Sequence, residues 1–357
     1  MTRMRGVVRI GAYLPATAVG GAPTAALDED EFTLAATAVE RAWAGRREEP
    51  GPVAVHLLGN FPSVAEWGFG AVLGRETEVV HHAGEAGELA ATLRALEAGE
   101  GGPAFLVASE LAERAAERST KAPVPVDGAV AFLLEPEEVP APFPLPRSAA
   151  RRSALAAARK IGELAGELPR SVTLVGDWDR PIPKEAPVDR DASRRSFEGK
   201  LTSVSEGAYV PRPRYLENLP SRWRFLAEVC SACHATTFPA RGACRRCGQK
   251  ETLAPLPLPT DGGRVVAVTT VGKGGQPTEF DGQVEAQGSY DVALVELARG
   301  MRVTLQVTDT TPGALQVGDH VNTRLRRLYP MEGEWRYGRK AVPAAARPAS
   351  PSDGEKI

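Results

Sequence analysis

Cysteine is scarce in this chain of 357 residues: there are four, and all lie between Cys230 and Cys247. No thiol is therefore available elsewhere for covalent chemistry or a structural bridge. Aromatic residues make up only 6% of the chain. Long apolar runs are missing too. None approaches the roughly 18 residues that a membrane-spanning helix needs, so the expectation is no membrane. The basic start Met1-Thr2-Arg3-Met4-Arg5 is followed by Gly6–Leu14, which is short and carries Arg9. It is expected to form a strand rather than a signal peptide. Charge of one sign is also lacking. The formal net charge of −2 gives no global pull toward nucleic acid or lipid. Nothing points to an oxidising compartment, and the cytoplasm is the expected location.

What is there begins with the cysteines. Cys230-Ser231-Ala232-Cys233 and Cys244-Arg245-Arg246-Cys247 are two CxxC pairs separated by residues 234–243. Each pair on a tight turn presents two thiolates, and two pairs give the four-sulfur geometry of a structural zinc site. The gap is short, but it accommodates one hairpin, with Pro239 and Gly242 suited to its turn. Two other readings compete. A disulfide needs an oxidising compartment. A c-type haem is suggested by Cys230–His234, which spells CxxCH, but the second CxxC and the lack of an export signal argue against it. A four-thiolate zinc site has no open position, so it holds a fold and does not activate water.

The length suggests two domains or more. In the first part, strands are expected at Val7–Ile10, Val53–Leu58, Glu78–His81, Ala104–Val107 and Ala129–Leu134. Helices are expected from Asp28 to Trp43, from a cap at Ser63 to Leu73, and from Ala86 to Ala98. This alternation predicts an α/β layer with a mostly parallel sheet. Pro136–Pro146 is proline-rich and ends the domain. Ala149–Leu168 has helical spacing, and Ser171–Val175 could be one more strand. Beyond Gly263 the pattern is all-β. Strands are expected at Arg264–Val271, Val292–Leu297, Arg302–Val307 and His320–Leu328, the second and third paired across Arg299-Gly300. About five short strands with glycine turns suit a small OB-type barrel. The expected division is 1–137, a linker 138–206 with one helix, 207–254 for an arm and ribbon, 255–342 for the barrel, and a disordered tail 343–357.

Between Gly207 and Lys250 stand eight basic residues, Arg212, Arg214, Arg222, Arg224, Arg241, Arg245, Arg246 and Lys250, against Glu217 and Glu228. Some of this charge balances a four-thiolate zinc centre. Arg222, Arg224, Arg241, Arg245 and Arg246 are the candidates to hold phosphates, which suit the guanidinium fork, or to dock an acidic partner. Trp223, Phe225 and Phe238 would pack the ribbon on the barrel or flank an adenine. His81, His82 and Glu85 could form an acid/base group, but a satisfied strand-end pair is the simpler reading, and Asp127 reads as a backbone support.

Two resemblances follow from these residues. Pro213–Tyr337 resembles the zinc-ribbon plus OB-fold family associated with acyl-CoA enzymes. The match is carried by Arg222-Trp223-Arg224, the four cysteines, Phe238-Pro239-Ala240-Arg241, Ser289–Leu297 and Gly300. The resemblance implies a rubredoxin-like zinc ribbon, an OB-fold barrel and a non-catalytic role. Such proteins bridge thiolase-like subunits, among them archaeal hydroxymethylglutaryl-CoA synthase and acetoacetyl-CoA thiolase, and help pass an acyl-CoA between them; others pair with hydratases or aldolases of side-chain degradation. Gly6–Leu134 is similar to the first half of the thiolase-like fold, nearest the hydroxymethylglutaryl-CoA synthase branch. It matches through Gly11-Ala12-Tyr13-Leu14-Pro15, the Asp28–Trp43 helix, Ala83–Gly87 and Val126–Ala131. The family's nucleophilic cysteine is replaced here by the stretch with Gly84 and Glu85, so an acyl-thioester on cysteine is excluded. Residues 135–207 leave no room for the second half. The implied protein is an accessory subunit with no catalytic residue of its own. It would carry structural Zn2+, bind acyl-CoA, and dock a thiolase-like or synthase-like catalytic subunit. The competing reading is a single-stranded nucleic-acid binder, against which stands the lack of a repeated aromatic platform on the barrel strands. A lone enzyme using Glu85 or His82 is the third.

Overall fold

The computed structural model describes residues 4–15, 18–19, 22–23, 25–26, 28–44, 51–82, 89–99, 101–110, 128–137, 143, 172–176 and 210–344. The chain forms two compact units, Met1–Ser196 and Phe197–Ile357. The helix expected over Ala149–Leu168, Gly84, Glu85, Asp127 and the tail beyond Ala344 lie outside the described residues.

The first unit opens with β1 (Met4–Tyr13), a two-stranded ribbon of β2 (Ala18–Val19) and β3 (Ala22–Pro23), and α1 (Glu31–Trp43). It continues through β4 (Val53–Leu58), α2 (Ala65–Leu73), β5 (Thr77–His82), α3 (Leu89–Ala98), β6 (Ala104–Glu110), β7 (Gly128–Glu137) and β8 (Thr173–Gly176). Six strands form one sheet in the order β5-β4-β6-β7-β1-β8.

Local chemistry explains the start of α1. Asp30 Oδ1 accepts from the Thr33 N–H at 2.9 Å, and Thr33 Oγ1 accepts from the Asp30 N–H at 2.8 Å. Two otherwise orphaned donors are thereby satisfied reciprocally. The helix is alanine-rich because it lies directly on β1: a Cβ on Gly11 would sit 2.0 Å from the Ala38 carbonyl oxygen. Trp43 of α1 meets Phe105 of β6 at 5.7 Å between ring centroids. Leu89, Leu93 and Leu96 of α3 pack instead in a cluster with Ile10, Leu106 and Phe132. Adjacent residues of a strand point to opposite faces, so α1 and α3 cover opposite faces of the sheet.

The sheet is mostly parallel, as expected, with one strand reversed, and one expectation about a helix cap is corrected. β4 runs parallel to β5 and β6, and β1 parallel to β8, but β7 is antiparallel to both β6 and β1. A reversed strand needs no crossover over a sheet face, and alternation along the sequence does not separate the two cases. Ser63 does not cap α2 with its side chain. The cap position is Val64, without a side-chain bond, and Ser63 contributes only its carbonyl, which accepts from the Glu66 N–H at 3.2 Å.

The second unit starts with two short helices, α4 (Arg212–Glu217) and α5 (Leu219–Trp223). A three-stranded sheet follows in the order β10-β9-β11, from β9 (Leu226–Cys230), β10 (Thr236–Thr237) and β11 (Leu253–Pro257). The remainder is a five-stranded antiparallel sheet. Its elements are β12 (Gly263–Val271), α6 (Asp281–Gln287), β13 (Tyr290–Glu296), β14 (Arg302–Gln306), β15 (His320–Met331) and β16 (Glu334–Pro343). The order is β14-β13-β12-β15-β16. Arg299 and Gly300, with φ of 61° and 68°, make the turn between β13 and β14. Glu332 and Gly333, at 54° and 77°, make the turn between β15 and β16. Val307 forms a parallel bridge with Ala341, and the Thr308 N–H donates to the Ala341 carbonyl at 2.9 Å. The two outer strands thus meet. Ala293, Val295, Leu305, Val321 and Ala341 fill the space they enclose. Asp291 ties down the adjoining loop, accepting from Thr270 Oγ1 at 2.6 Å and the Gly313 N–H at 2.7 Å.

β16 is buried on both faces from Arg336 to Val342. The two short helices account for part of this. Trp223, 0% exposed, donates from Nε1 to the Tyr337 carbonyl at 3.0 Å and meets the Tyr337 ring edge-on at 6.2 Å. Tyr215 both donates its hydroxyl to that carbonyl and accepts from the Tyr337 N–H, each at 2.9 Å. Burial first of all pushes the Tyr215 hydroxyl up to about 12, so it keeps the proton that it donates. Arg339 Nε donates to the Trp223 carbonyl, and its guanidinium lies over the Phe225 ring at 5.8 Å.

Candidate metal centre

The four cysteines converge. Their sulfurs all lie within 4.8 Å of one another, and none is in a disulfide. Cys230 Sγ is 3.7 Å from Cys247 Sγ, and Cys233 Sγ is 3.5 Å from Cys244 Sγ. Zinc–sulfur bonds of about 2.3 Å at tetrahedral angles place sulfurs about 3.8 Å apart. A disulfide would need about 2.05 Å. The arrangement fits a tetrahedral metal ion, and the ligands would be Cys230, Cys233, Cys244 and Cys247. Such an ion would cross-link the two loops.

The two loops use one backbone pattern. In the first, the His234 N–H donates to the Cys230 carbonyl at 2.8 Å, and the Cys230 N–H donates to the Ala235 carbonyl at 3.0 Å. In the second, the Gly248 N–H donates to the Cys244 carbonyl at 2.9 Å, and the Cys244 N–H donates to the Gln249 carbonyl at 2.8 Å. Gly248 has φ of 76°, and His234 occupies the matching position at 58°. The histidine that completes CxxCH thus stands where the second loop uses glycine.

Hydrogen bonds and crowding split the thiols. The Thr252 hydroxyl, foremost, with the Cys233 and Ala232 amides, brings Cys230 down to about 6 against the effect of burial. The Ala235 amide pulls Cys233 down, but burial and the three neighbouring sulfurs outweigh it and push Cys233 up to about 12. Cys244 is lowered by the amides of Cys247 and Arg246.

The loop between the pairs has its own anchor, which sequence reasoning missed. Glu228 on β9 accepts from the Arg241 and Gly242 N–H groups at 2.9 and 3.1 Å. Gly242 has φ of 68°, consistent with the expected turn.

The basic residues stand on several segments of the second unit. Arg245 and Arg246 are exposed on the second loop between its cysteines, Arg241 is exposed in the intervening loop, and Arg222 is exposed on α5. Arg224 is half-buried just beyond α5. Arg212 pairs with Glu334 at 3.0 Å and Arg214 with Glu217 at 2.6 Å. Trp223 and Phe225 are 0% and 1% exposed, which removes both as faces for an adenine, while Phe238 packs edge-on against Phe225 at 5.9 Å.

The histidines of the first unit have partners that spacing did not reveal. His81 Nε2 lies 2.6 Å from Glu66 Oε1, and His82 Nε2 lies 3.0 Å from His56 Nδ1 on the neighbouring strand. Burial first, then His82 and Arg5, hold His56 down at about 4.

Fold and centre together define a protein with an α/β unit and a cysteine-centred β unit. No family model matches the chain. It is 31% identical over 121 residues to a DUF35 domain-containing scaffold protein of Methanothermobacter thermautotrophicus, covering 34% of this chain and 85% of the relative. It is 28% identical over 115 residues to one of Methanocaldococcus jannaschii, covering 32% and 77%. The chain belongs to the family of DUF35 domain-containing scaffold proteins. Among solved structures, the Ltp2-ChsH2(DUF35) aldolase aligns with 39% of this chain and 99% of its own at 20% identity and a TM-score of 0.30. The priming β-ketosynthase of the R1128 polyketide pathway aligns with 39% and 52% at 23% identity and 0.30. A DUF35 family protein of Sulfolobus solfataricus aligns with 43% and 92% at 14% identity and 0.25. No helix among the described residues is long and apolar enough to cross a membrane.

Proposed function

We propose that this protein is a non-catalytic accessory scaffold of an acyl-CoA condensing or cleaving complex. It docks a thiolase-like or synthase-like catalytic subunit and helps hold the acyl-CoA. The observation that carries the reading is membership of the DUF35 scaffold family. The cysteine distribution supports it: all four thiols lie at the metal centre, so the chain has none left for an acyl-enzyme.

In this reading the cysteine centre is a zinc ribbon built on β9–β11, and the ion is structural. The antiparallel sheet, with its outer strands meeting, is an OB-type barrel. The first unit is a degenerate half of a thiolase-like fold, which the α/β layering on both sheet faces supports. A half-unit lacks the surface that would complete it, and the catalytic subunit supplies that surface. The boundaries are those expected from the sequence, at 137, 206, 254 and 342. Arg245 and Arg246, exposed on the second loop, meet the phosphates of coenzyme A, with Arg222, Arg224 and Arg241 alongside. The location is cytoplasmic.

The test is a tagged pull-down of the full chain from its native cells, with mass spectrometry of the eluate. A thiolase-like or synthase-like protein at near-equal stoichiometry, active only when this chain is present, is the expected result. Recovery of nucleic acid, or of the chain alone, overturns the reading.

A further inference from the structure

Thr252 lies between the second cysteine loop and β11, yet it is bound to the first loop. Its carbonyl accepts from the Ser231 N–H at 2.8 Å. That bond brings its hydroxyl to Cys230, with Oγ1 3.2 Å from Sγ. A metal-bound cysteine is a thiolate and has no proton to give. In the loaded centre the hydroxyl is therefore the donor and the sulfur the acceptor.

The choice of sulfur has a physical basis. Four thiolates around a divalent ion leave a net charge of about −2 at the centre. Cys247 is exposed, so water can solvate its sulfur. Cys230 is 0% exposed, and water cannot reach it. A buried anion needs donors from the protein. Thr252 supplies one from a side chain, and the Ser231 bond fixes where that side chain stands.

We infer that Thr252 is a positioning residue of the metal centre, whose hydroxyl donates to the Cys230 thiolate and strengthens its hold on the ion. The inference rests on the reading of the four cysteines as a metal site. Outer-shell partners of this kind typically change metal affinity by about 10- to 100-fold when removed.

The experiment uses the full chain with Zn(II) and Co(II) as probes. Thr252→Val keeps the shape and removes the donor. Its zinc affinity, read by competition with a chromophoric chelator, should fall about tenfold. The thiolate-to-cobalt charge-transfer bands should shift, because one sulfur loses its hydrogen bond. Thr252→Ser keeps the hydroxyl and should restore both readouts. If Thr252→Val does not fold, Thr252→Ser against Thr252→Ala isolates the hydroxyl in the same two measurements. Wild-type affinity and bands in the variants without a hydroxyl overturn the inference, as does failure of Thr252→Ser to restore them. A wild-type chain that binds neither ion overturns the metal reading itself, which is a separate result.

Discussion

Replacing Trp223 tests how the short helices are attached to β16, the strand they cover. Its side chain is fully buried, and its single indole donor is used on the Tyr337 carbonyl at 3.0 Å. Trp223→Phe keeps most of the apolar area and the edge-on contact with Tyr337 but loses the donor. The bereaved carbonyl still accepts from the Tyr215 hydroxyl at 2.9 Å, so it is not left unsatisfied. The loss therefore belongs at the low end of the usual hydrogen-bond range, about 0.5–1 kcal/mol. Trp223→Ala also removes the packing, and such truncations cost about 3–5 kcal/mol. The backbone bond from Arg339 to the Trp223 carbonyl survives in both variants. Global unfolding of a two-unit chain does not give one clean free energy. Hydrogen exchange of the peptide spanning β16, followed by mass spectrometry in zinc-replete buffer, reads the local opening directly. Trp223→Phe should lower its opening free energy by no more than about 1 kcal/mol, and Trp223→Ala several times as much. Equal effects from the two variants would refute the division between packing and hydrogen bonding. Unchanged protection in Trp223→Ala would refute the anchoring role altogether.

Other outcomes are accessible with the same protein. Metal analysis should find one zinc per chain, and Cys244→Ser should lose it; retained zinc in that variant would contradict the four-sulfur site. Arg245→Ala with Arg246→Ala should weaken acyl-CoA binding in the reconstituted complex while leaving zinc content unchanged, since both side chains are exposed and are not ligands; unchanged acyl-CoA affinity removes them from the ligand site. Glu228→Ala should release the loop at residues 241–242, seen as faster exchange of those two amides with unchanged zinc stoichiometry. His56 is held at about 4 instead of the ordinary 6.5, so between those values the unfolded chain binds a proton that folded His56 refuses. The first unit should thus carry this contribution in full above about pH 6.5 and lose it as the pH falls toward 4; an NMR titration of His56 with an ordinary midpoint would rule this out.

Much of this was legible in the residues. The four cysteines announce themselves because a ligand set is written in spacing, and the CxxC turn brings each pair together locally. The strands of the first unit were visible as apolar runs, and the helices as apolar repeats. What escaped notice depends on neighbours far away in sequence. β16 carries Arg336, Arg339 and Lys340 among its buried residues, a pattern that reads as exposed. It is covered because Trp223 and Tyr215, more than a hundred residues earlier, lie across it. His56 and His82 face each other only because β4 and β5 pair in parallel. The reversal of β7 leaves no trace in an alternating pattern. Glu228 and Thr252 look like ordinary polar residues until the loops they hold are in place.

The matching backbone pattern of the two cysteine loops separates local from long-range constraint. Each loop closes on itself within six residues, Cys230–Ala235 and Cys244–Gln249, before any ion joins them. The stretch that connects them is fastened independently, by Glu228. The connection is thus a spacer whose length is not fixed by coordination. Residues inserted beside Gly242 would therefore act on the Glu228 anchor and leave the self-closing bonds of both loops intact, which separates the role of the connection from that of the clasp.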